Sequence, residues 1–184
     1  LATGCPYTGR VPEESVYDLA EKYASLGVDE IFLCDSMGMG DPARMGRMVA
    51  EIRRRWPVTD LTVHIHNTRG MGLANALASM QAGAATLDAS LGGLGGCPFA
   101  PGASGNISTE DLVHMLWLME IETGIDLDAL RTLAGKLADA LDTPLFSAVH
   151  RAGKSFEKSP VPAQLLVGED ERTSQDVGGL ADRI

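Results

Sequence analysis

From Pro12 to Leu26 apolar residues recur at helical spacing: Val16, Leu19, Ala20, Tyr23 and Leu26 share one face, Pro12 suits the first turn and Gly27 the stop. This predicts an amphipathic helix. It runs into Ile31, Phe32, Leu33 and Cys34, a short apolar run bounded by Asp35, Gly38 and Gly40, which predicts a buried strand. Asp41 then caps a second helix, with Pro42 at its first position, Met45, Met48, Val49, Ile52 and Trp56 at three-four spacing, and Pro57 at its end. From Leu61 to His66 the period changes to two. Leu61, Val63 and Ile65 point one way, and Thr62, His64 and His66 the other. A third helix carries Leu73, Leu77 and Met80 and stops at Gly83, and Ala84 to Leu91 reads as a further strand.

Helix and strand thus alternate three times. That order predicts a parallel sheet covered by helices, because parallel neighbours are joined only through a crossover of about a dozen residues. Next comes a glycine-rich loop, with Gly92, Gly93, Gly95, Gly96, Gly102 and Gly105. Ser108 and Asp111 form a capping-box pattern before Leu112, Leu116 and Met119, and a last helix places Leu127, Leu130, Ala134, Leu137 and Leu141 on one stripe, a surface that would suit a partner subunit in a homo-oligomer. From about Lys154 the periodicity fails, so that residues 1–153 read as the structured part. Residues 154–184, with Gly168-Glu-Asp-Glu-Arg and Gly178-Gly179, read as a mobile tail. About three complete strands cannot close a barrel, and a three-stranded parallel sheet leaves long edges. The count suggests a fragment, as does a start at Leu1 without an initiator Met, which would leave any targeting information outside the sequence.

Composition narrows the classes of function. The 184 residues carry 25 acidic and 15 basic side chains, a formal charge of −10, which disfavours nucleic acid as a partner; the Arg53-Arg54-Arg55 run falls at a helix end. A hydrophobic fraction of 45% and near-zero mean hydropathy describe a globular chain with a real core. No stretch approaches the roughly 20 apolar residues of a membrane span, and no signal-peptide pattern opens the chain. Three cysteines, Cys5, Cys34 and Cys97, without C-x-x-C spacing fit a reducing compartment, so a cytoplasmic location is expected and a working thiol is more readily catalytic than structural.

Three groups of polar residues fall at the carboxyl ends of successive strands: Asp35, the His64/His66 pair, and the loop carrying Cys97 and Asn106. In parallel α/β folds those ends share one rim. His64 and His66 project from one strand face and read either as a hydrogen-bonded pair or as two ligands of one ion. Asn106 offers an amide oxygen or else caps the helix that begins near Ser108. Cys97 is a small loop residue or a reactive thiol, and Asp35 either caps a turn or faces the imidazoles and sets their tautomer. Cys34 reads as core, and His114 and His150 as structural or surface residues. The glycine-rich loop lacks a nucleotide-binding pattern and reads as a phosphate cradle of weak support or as a lid.

The segment from Ser90 to Asn106, SLGGLGGCPFAPGASGN, closely resembles the active-site loop of 3-hydroxy-3-methylglutaryl-CoA lyase. Three more blocks fall in that family's order: Gly4-Cys-Pro-Tyr-Thr-Gly-Arg10, Cys34-Asp-Ser-Met-Gly-Met-Gly40 and His64-Ile-His-Asn-Thr-Arg-Gly70. The resemblance covers residues 1 to 153. It implies part of a (β/α)8 TIM barrel, starting at the end of the fifth strand and supplying strands six to eight with their helices. It also implies a divalent cofactor, Mg²⁺ or Mn²⁺, on His64, His66 and Asn106, with an Asp ligand and a catalytic Arg from an R-D-G motif that this chain does not contain. Asn67 stands where many relatives have Asp. The implied reaction is retro-Claisen cleavage of an acyl-CoA, 3-hydroxy-3-methylglutaryl-CoA giving acetyl-CoA and acetoacetate, as in leucine degradation and ketone-body formation. A longer branched analogue, or a non-catalytic barrel fragment, is the alternative. Cys97 would act as general acid/base, Asp35 would support proton movement, and His64 would serve both metal and catalysis.

Overall fold

A computed structural model describes residues 1–96 and 102–162. The element order begins with a two-residue hairpin, β1 (Gly4–Cys5) and β2 (Gly9–Arg10), followed by α1 (Glu13–Ser25), β3 (Glu30–Asp35), α2 (Pro42–Arg55), β4 (Asp60–Ile65), α3 (Gly72–Gln81) and β5 (Thr86–Asp88). A 3-10 turn at Leu91–Gly93, α4 (Thr109–Leu118), α5 (Leu127–Leu141) and the short α6 (Ala148–Ala152) complete it. Leu1–Gly153 forms one compact unit, with a second unit beginning at Lys154. Among the described residues no helix is long and apolar enough to cross a membrane. Gly168 and Gly178, and with them most of the segment read as a tail, lie outside the described residues.

The sheet has the order β3-β4-β5 and both pairings are parallel, as the alternation of helix and strand predicts. Ile31 lies opposite Leu61, Leu33 opposite Val63 and Cys34 opposite His64, so the period-two pattern of each strand puts like with like. Ile31, Leu33, Leu61, Val63 and Ile65 are buried on one face with Met45, Met48, Val49 and Ile52 of α2 and Ala76 of α3. The opposite face carries Phe32, Thr62, His64, Thr86 and Asp88. Asp41 accepts from the Arg44 amide at 2.9 Å with Pro42 in the first turn of α2, as its sequence requires.

Three elements differ from expectation. The stripe of α1 is not uniformly covered: Tyr17 and Ala20 are buried and Val16 packs on the core, whereas Leu19, Tyr23 and Leu26 are exposed. The helix leans on α2 through Tyr17, whose ring lies 4.6 Å beneath the Arg55 guanidinium, and its other flank joins Phe32 along an apolar groove of about 270 Å³. The strand expected over Ala84 to Leu91 is paired only at Thr86–Asp88. By Ser90 the backbone has turned to the segment preceding α4, donating to the Ile107 carbonyl at 3.1 Å. Arg44, an unremarked position in an exposed-looking helix, is buried and donates to the Thr3 carbonyl at 2.5 Å and to the Val11 carbonyl, fixing the N-terminal hairpin to α2.

Candidate active site

His64 is the penultimate residue of β4, and His66 follows immediately after the strand. Their shared side of the pleat brings Nε2 of one ring to 3.1 Å from Nε2 of the other, with the rings inclined at 64°. His64 is flanked across the sheet by Cys34 on β3 and Asp88 on β5. Its Nδ1 lies 2.9 Å and 3.0 Å from the two Asp88 carboxylate oxygens. His66 is buried; burial first, and the neighbouring His64 second, holds its pKa below the ordinary histidine value, so the neutral ring is favoured. Its Nδ1 is buried without a hydrogen-bond partner.

Asn106 reaches the same place because the chain after the glycine-rich loop is stitched to the end of β4. Asn67 donates its amide to the Gly105 carbonyl at 2.9 Å, Ile107 donates to the Ile65 carbonyl at 3.0 Å, and His66 and Asn106 form an isolated antiparallel bridge. The Asn106 Nδ2 donates to the Leu94 carbonyl at 2.7 Å, which fixes the carboxamide, while Oδ1 is buried and unpartnered. Asn106 does not cap the following helix. Ser108 does so, its Oγ accepting from the Asp111 amide at 3.2 Å.

These donors suit a divalent cation. Two cis ligands at about 2.1 Å from one octahedral ion stand about 3.0 Å apart, close to the 3.1 Å between the imidazole nitrogens. The orphaned Asn106 oxygen has the polarity a hard cation takes. Among the described residues no group of three or more His, Cys, Asp or Glu side chains gathers to hold an ion, so the two imidazoles and one carboxamide form an incomplete set.

Asp35 is corrected in orientation. It shares the helix-facing side of β3 with Ile31 and Leu33, is fully buried, and accepts from the Met39 amide at 2.9 Å, from the Gly40 amide at 3.0 Å and from the Thr3 hydroxyl. The carboxylate hydrogen-bonded to an imidazole is Asp88. Asn67 turns its side-chain oxygen to the Gly72 amide at 2.9 Å and caps α3 rather than addressing a histidine. Cys97 lies outside the described residues. Cys34 is half-buried beside His64, and burial raises its pKa; Cys5 is a free thiol in the hairpin. His114 packs near Trp117 on α4 and His150 lies in α6, neither at the rim.

Two acids escaped the sequence reading, and a third, Asp111, has a different role from the one its spacing predicts. Asp88 follows Thr86 at period two, which puts both on one face of β5; the pairing of Thr62 with Thr86 makes that the histidine face. Glu110, fully buried, accepts from the Gly92 amide at 3.0 and 2.9 Å and from the Ser108 hydroxyl at 2.7 Å, tying the first turn of α4 to the start of the glycine-rich loop. Asp111 does not close a reciprocal capping box. Its carboxylate accepts from the Ser147 hydroxyl at 2.8 Å and from the Ala148 and Val149 amides at 3.0 and 2.8 Å, at the N-terminus of α6.

The fold and site together define an α/β protein with a parallel sheet and a candidate polar site, a histidine pair and a carboxamide, at its carboxyl rim. The HMGL-like family model matches residues 1–136, and the chain belongs to that family, the family of 3-hydroxy-3-methylglutaryl-CoA lyase. It is 45% identical over 155 residues to the (R)-citramalyl-CoA lyase of Chloroflexus aurantiacus, covering 84% of this chain and 49% of that protein. It is 44% identical over 149 residues to the mitochondrial hydroxymethylglutaryl-CoA lyase of Gallus gallus, covering 81% of this chain and 50% of the other. A solved HMG-CoA lyase from Acinetobacter baumannii, in complex with coenzyme A and 3-methylmalate, superimposes with a TM-score of 0.82 at 46% identity, over 88% of this chain and 53% of that one. The chain spans about half the length of the curated relatives it matches.

Proposed function

We propose that the protein carrying this sequence is a divalent-metal-dependent lyase that cleaves a 3-hydroxyacyl-CoA by retro-Claisen chemistry, with 3-hydroxy-3-methylglutaryl-CoA as substrate and acetyl-CoA and acetoacetate as products. The 3.1 Å approach of His64 Nε2 to His66 Nε2, together with the buried, unpartnered Oδ1 of Asn106 on the residue bridged to His66, carries this reading. The three parallel strands are, on the same reading, the sixth to eighth of a (β/α)8 barrel.

His64, His66 and Asn106 would hold the ion. Bound Mg²⁺ or Mn²⁺ supplies Lewis acidity toward the tertiary hydroxyl of the substrate, whose pKa otherwise lies far above neutrality. The chain's own residues do the rest of the local work. The depressed pKa of His66 favours the neutral ring, whose lone pair can serve a cation, and the Leu94 carbonyl takes the Asn106 amide nitrogen, which leaves the carboxamide oxygen unpartnered. In the reaction the hydroxyl proton passes to a water molecule, the carbonyl of acetoacetate forms as the carbon–carbon bond breaks, and the electron pair passes to the thioester as an enolate. Cys97 delivers the proton that converts this enolate to the acetyl methyl group. Glu110 holds the start of the Cys97-bearing segment at Gly92. Asp35 orders the β3 carboxyl end through Thr3, Met39 and Gly40, and so shapes the rim.

The relative at 45% identity is named for citramalyl-CoA, which makes that thioester the second candidate. The deciding experiment is a steady-state assay of the full-length protein with each thioester, with and without Mg²⁺ or Mn²⁺. Metal-dependent formation of acetoacetate supports the reading. Preference for citramalyl-CoA would replace the substrate, and turnover undiminished by a chelator would overturn the mechanism.

A further inference from the structure

An imidazole that binds a cation through Nε2 must carry its proton on Nδ1, and its ring must be held against rotation. His66 receives no such support from the described residues, since its Nδ1 is buried and unpartnered. His64 does. Its Nδ1 faces both oxygens of Asp88 at 2.9 and 3.0 Å. The two residues stand directly opposite each other in the parallel pairing of β4 with β5, so the geometry is set by sheet register rather than by a loop. The Asp88 side chain is 41% exposed and makes no other hydrogen bond among the described residues. On the same face, His66 meets the other ring nitrogen, and neither Cys34 on β3 nor Thr86 on β5 hydrogen-bonds His64 Nδ1.

We propose that Asp88 is a positioning residue of the metal site: it keeps the His64 proton on Nδ1, fixes the ring about its Cβ–Cγ bond, and so presents an unprotonated Nε2 toward the ion shared with His66. This rests on the metal-site reading given above. It adds a residue that acts through His64 without touching the ion or substrate. An amide oxygen can accept the same hydrogen bond, whereas a methyl group cannot.

The test compares the full-length parent with Asp88→Asn and Asp88→Ala, labelled with ¹⁵N-histidine, using long-range ¹H–¹⁵N correlation for the tautomer and Mn²⁺ titration followed by electron paramagnetic resonance for affinity. In the parent and in Asp88→Asn, His64 is expected as the Nδ1–H tautomer with similar Mn²⁺ affinities. In Asp88→Ala the Nδ1–H signature is lost and Mn²⁺ binding weakens by about 10–100-fold, with the far-UV circular dichroism and melting temperature unchanged. An Asp88→Ala protein that keeps either the parental tautomer or the parental affinity overturns the proposal, as does an Asn variant as weak as the Ala variant. Failure of the parent itself to bind Mn²⁺ defeats the metal-site reading instead, and the tautomer comparison then still decides whether Asp88 sets the His64 proton.

Discussion

Glu110→Ala is expected to lower stability by about 2–3 kcal/mol. Its carboxylate is fully buried and receives the Gly92 amide at 3.0 and 2.9 Å and the Ser108 hydroxyl at 2.7 Å. Truncation orphans the Gly92 amide, at about 1–3 kcal/mol for a buried donor, and removes a charge-assisted bond from Ser108 worth about 1.5–3 kcal/mol. Part of this is offset because a buried carboxylate no longer has to be desolvated. Glu110→Gln keeps one oxygen for Gly92 and is expected to cost about 1 kcal/mol. Urea denaturation with linear extrapolation measures both, provided the slopes agree with the parent. Because Gly92 opens the segment that leads to Leu94, the acceptor for Asn106, Mn²⁺ affinity should fall in the same order. A Glu110→Ala protein within about 0.5 kcal/mol of the parent, or a Gln variant as damaged as the Ala variant, would refute the reasoning.

Gly105→Ala is expected to disrupt the site: Gly105 has φ +105°, and an added Cβ would overlap the Gly93 carbonyl oxygen, so Mn²⁺ affinity and melting temperature should both drop; a variant matching the parent in both contradicts this. Asp111→Ala removes the acceptor for the Ser147 hydroxyl and for two amides opening α6 and should cost about 1–2 kcal/mol by urea denaturation, with unchanged stability the opposing result. Since the folded-state pKa of His66 lies below the unfolded value of about 6.5, the folded chain binds fewer protons. The stability this confers is present above the unfolded value and lost as pH falls through it toward the folded one. Melting curves of the metal-free protein should therefore show a decline below about pH 6.5 that His66→Gln reduces, and identical slopes would contradict it. In the full-length protein Cys97→Ala should abolish most turnover while retaining Mn²⁺, whereas His66→Ala should lose the ion; equal turnover of the Cys97 variant and the parent would remove that thiol from the chemistry.

Where periodicity decides burial, the sequence was legible. The alternation through Leu61–His66 places the two imidazoles on one face, and Asp41-Pro42 marks the start of α2 as found. The same arithmetic would have turned Asp35 away from the histidines, since it is in phase with Ile31 and Leu33, and would have put Asp88 on the same strand face as Thr86. Parity alone does not give neighbours, however: that Asp88 meets His64 depends on β5 lying next to β4 with Thr62 opposite Thr86. Helical spacing likewise named the apolar side of α1 but not which flank is covered, because coverage is decided by α2 and by the Tyr17–Arg55 stack. Arg44 was invisible for a related reason. Its hydrogen bonds go to backbone carbonyls flanking the N-terminal hairpin, which any sequence offers, and its ion-pair partner, Glu13 at 3.6 Å, lies on a different helix.

Anomalous diffraction from crystals of the full-length protein grown with Mn²⁺ tests the central claim most directly. The account predicts a single strong peak within about 2.3 Å of His64 Nε2, His66 Nε2 and Asn106 Oδ1. A peak elsewhere, or an ion at this rim held without both imidazoles, would contradict it.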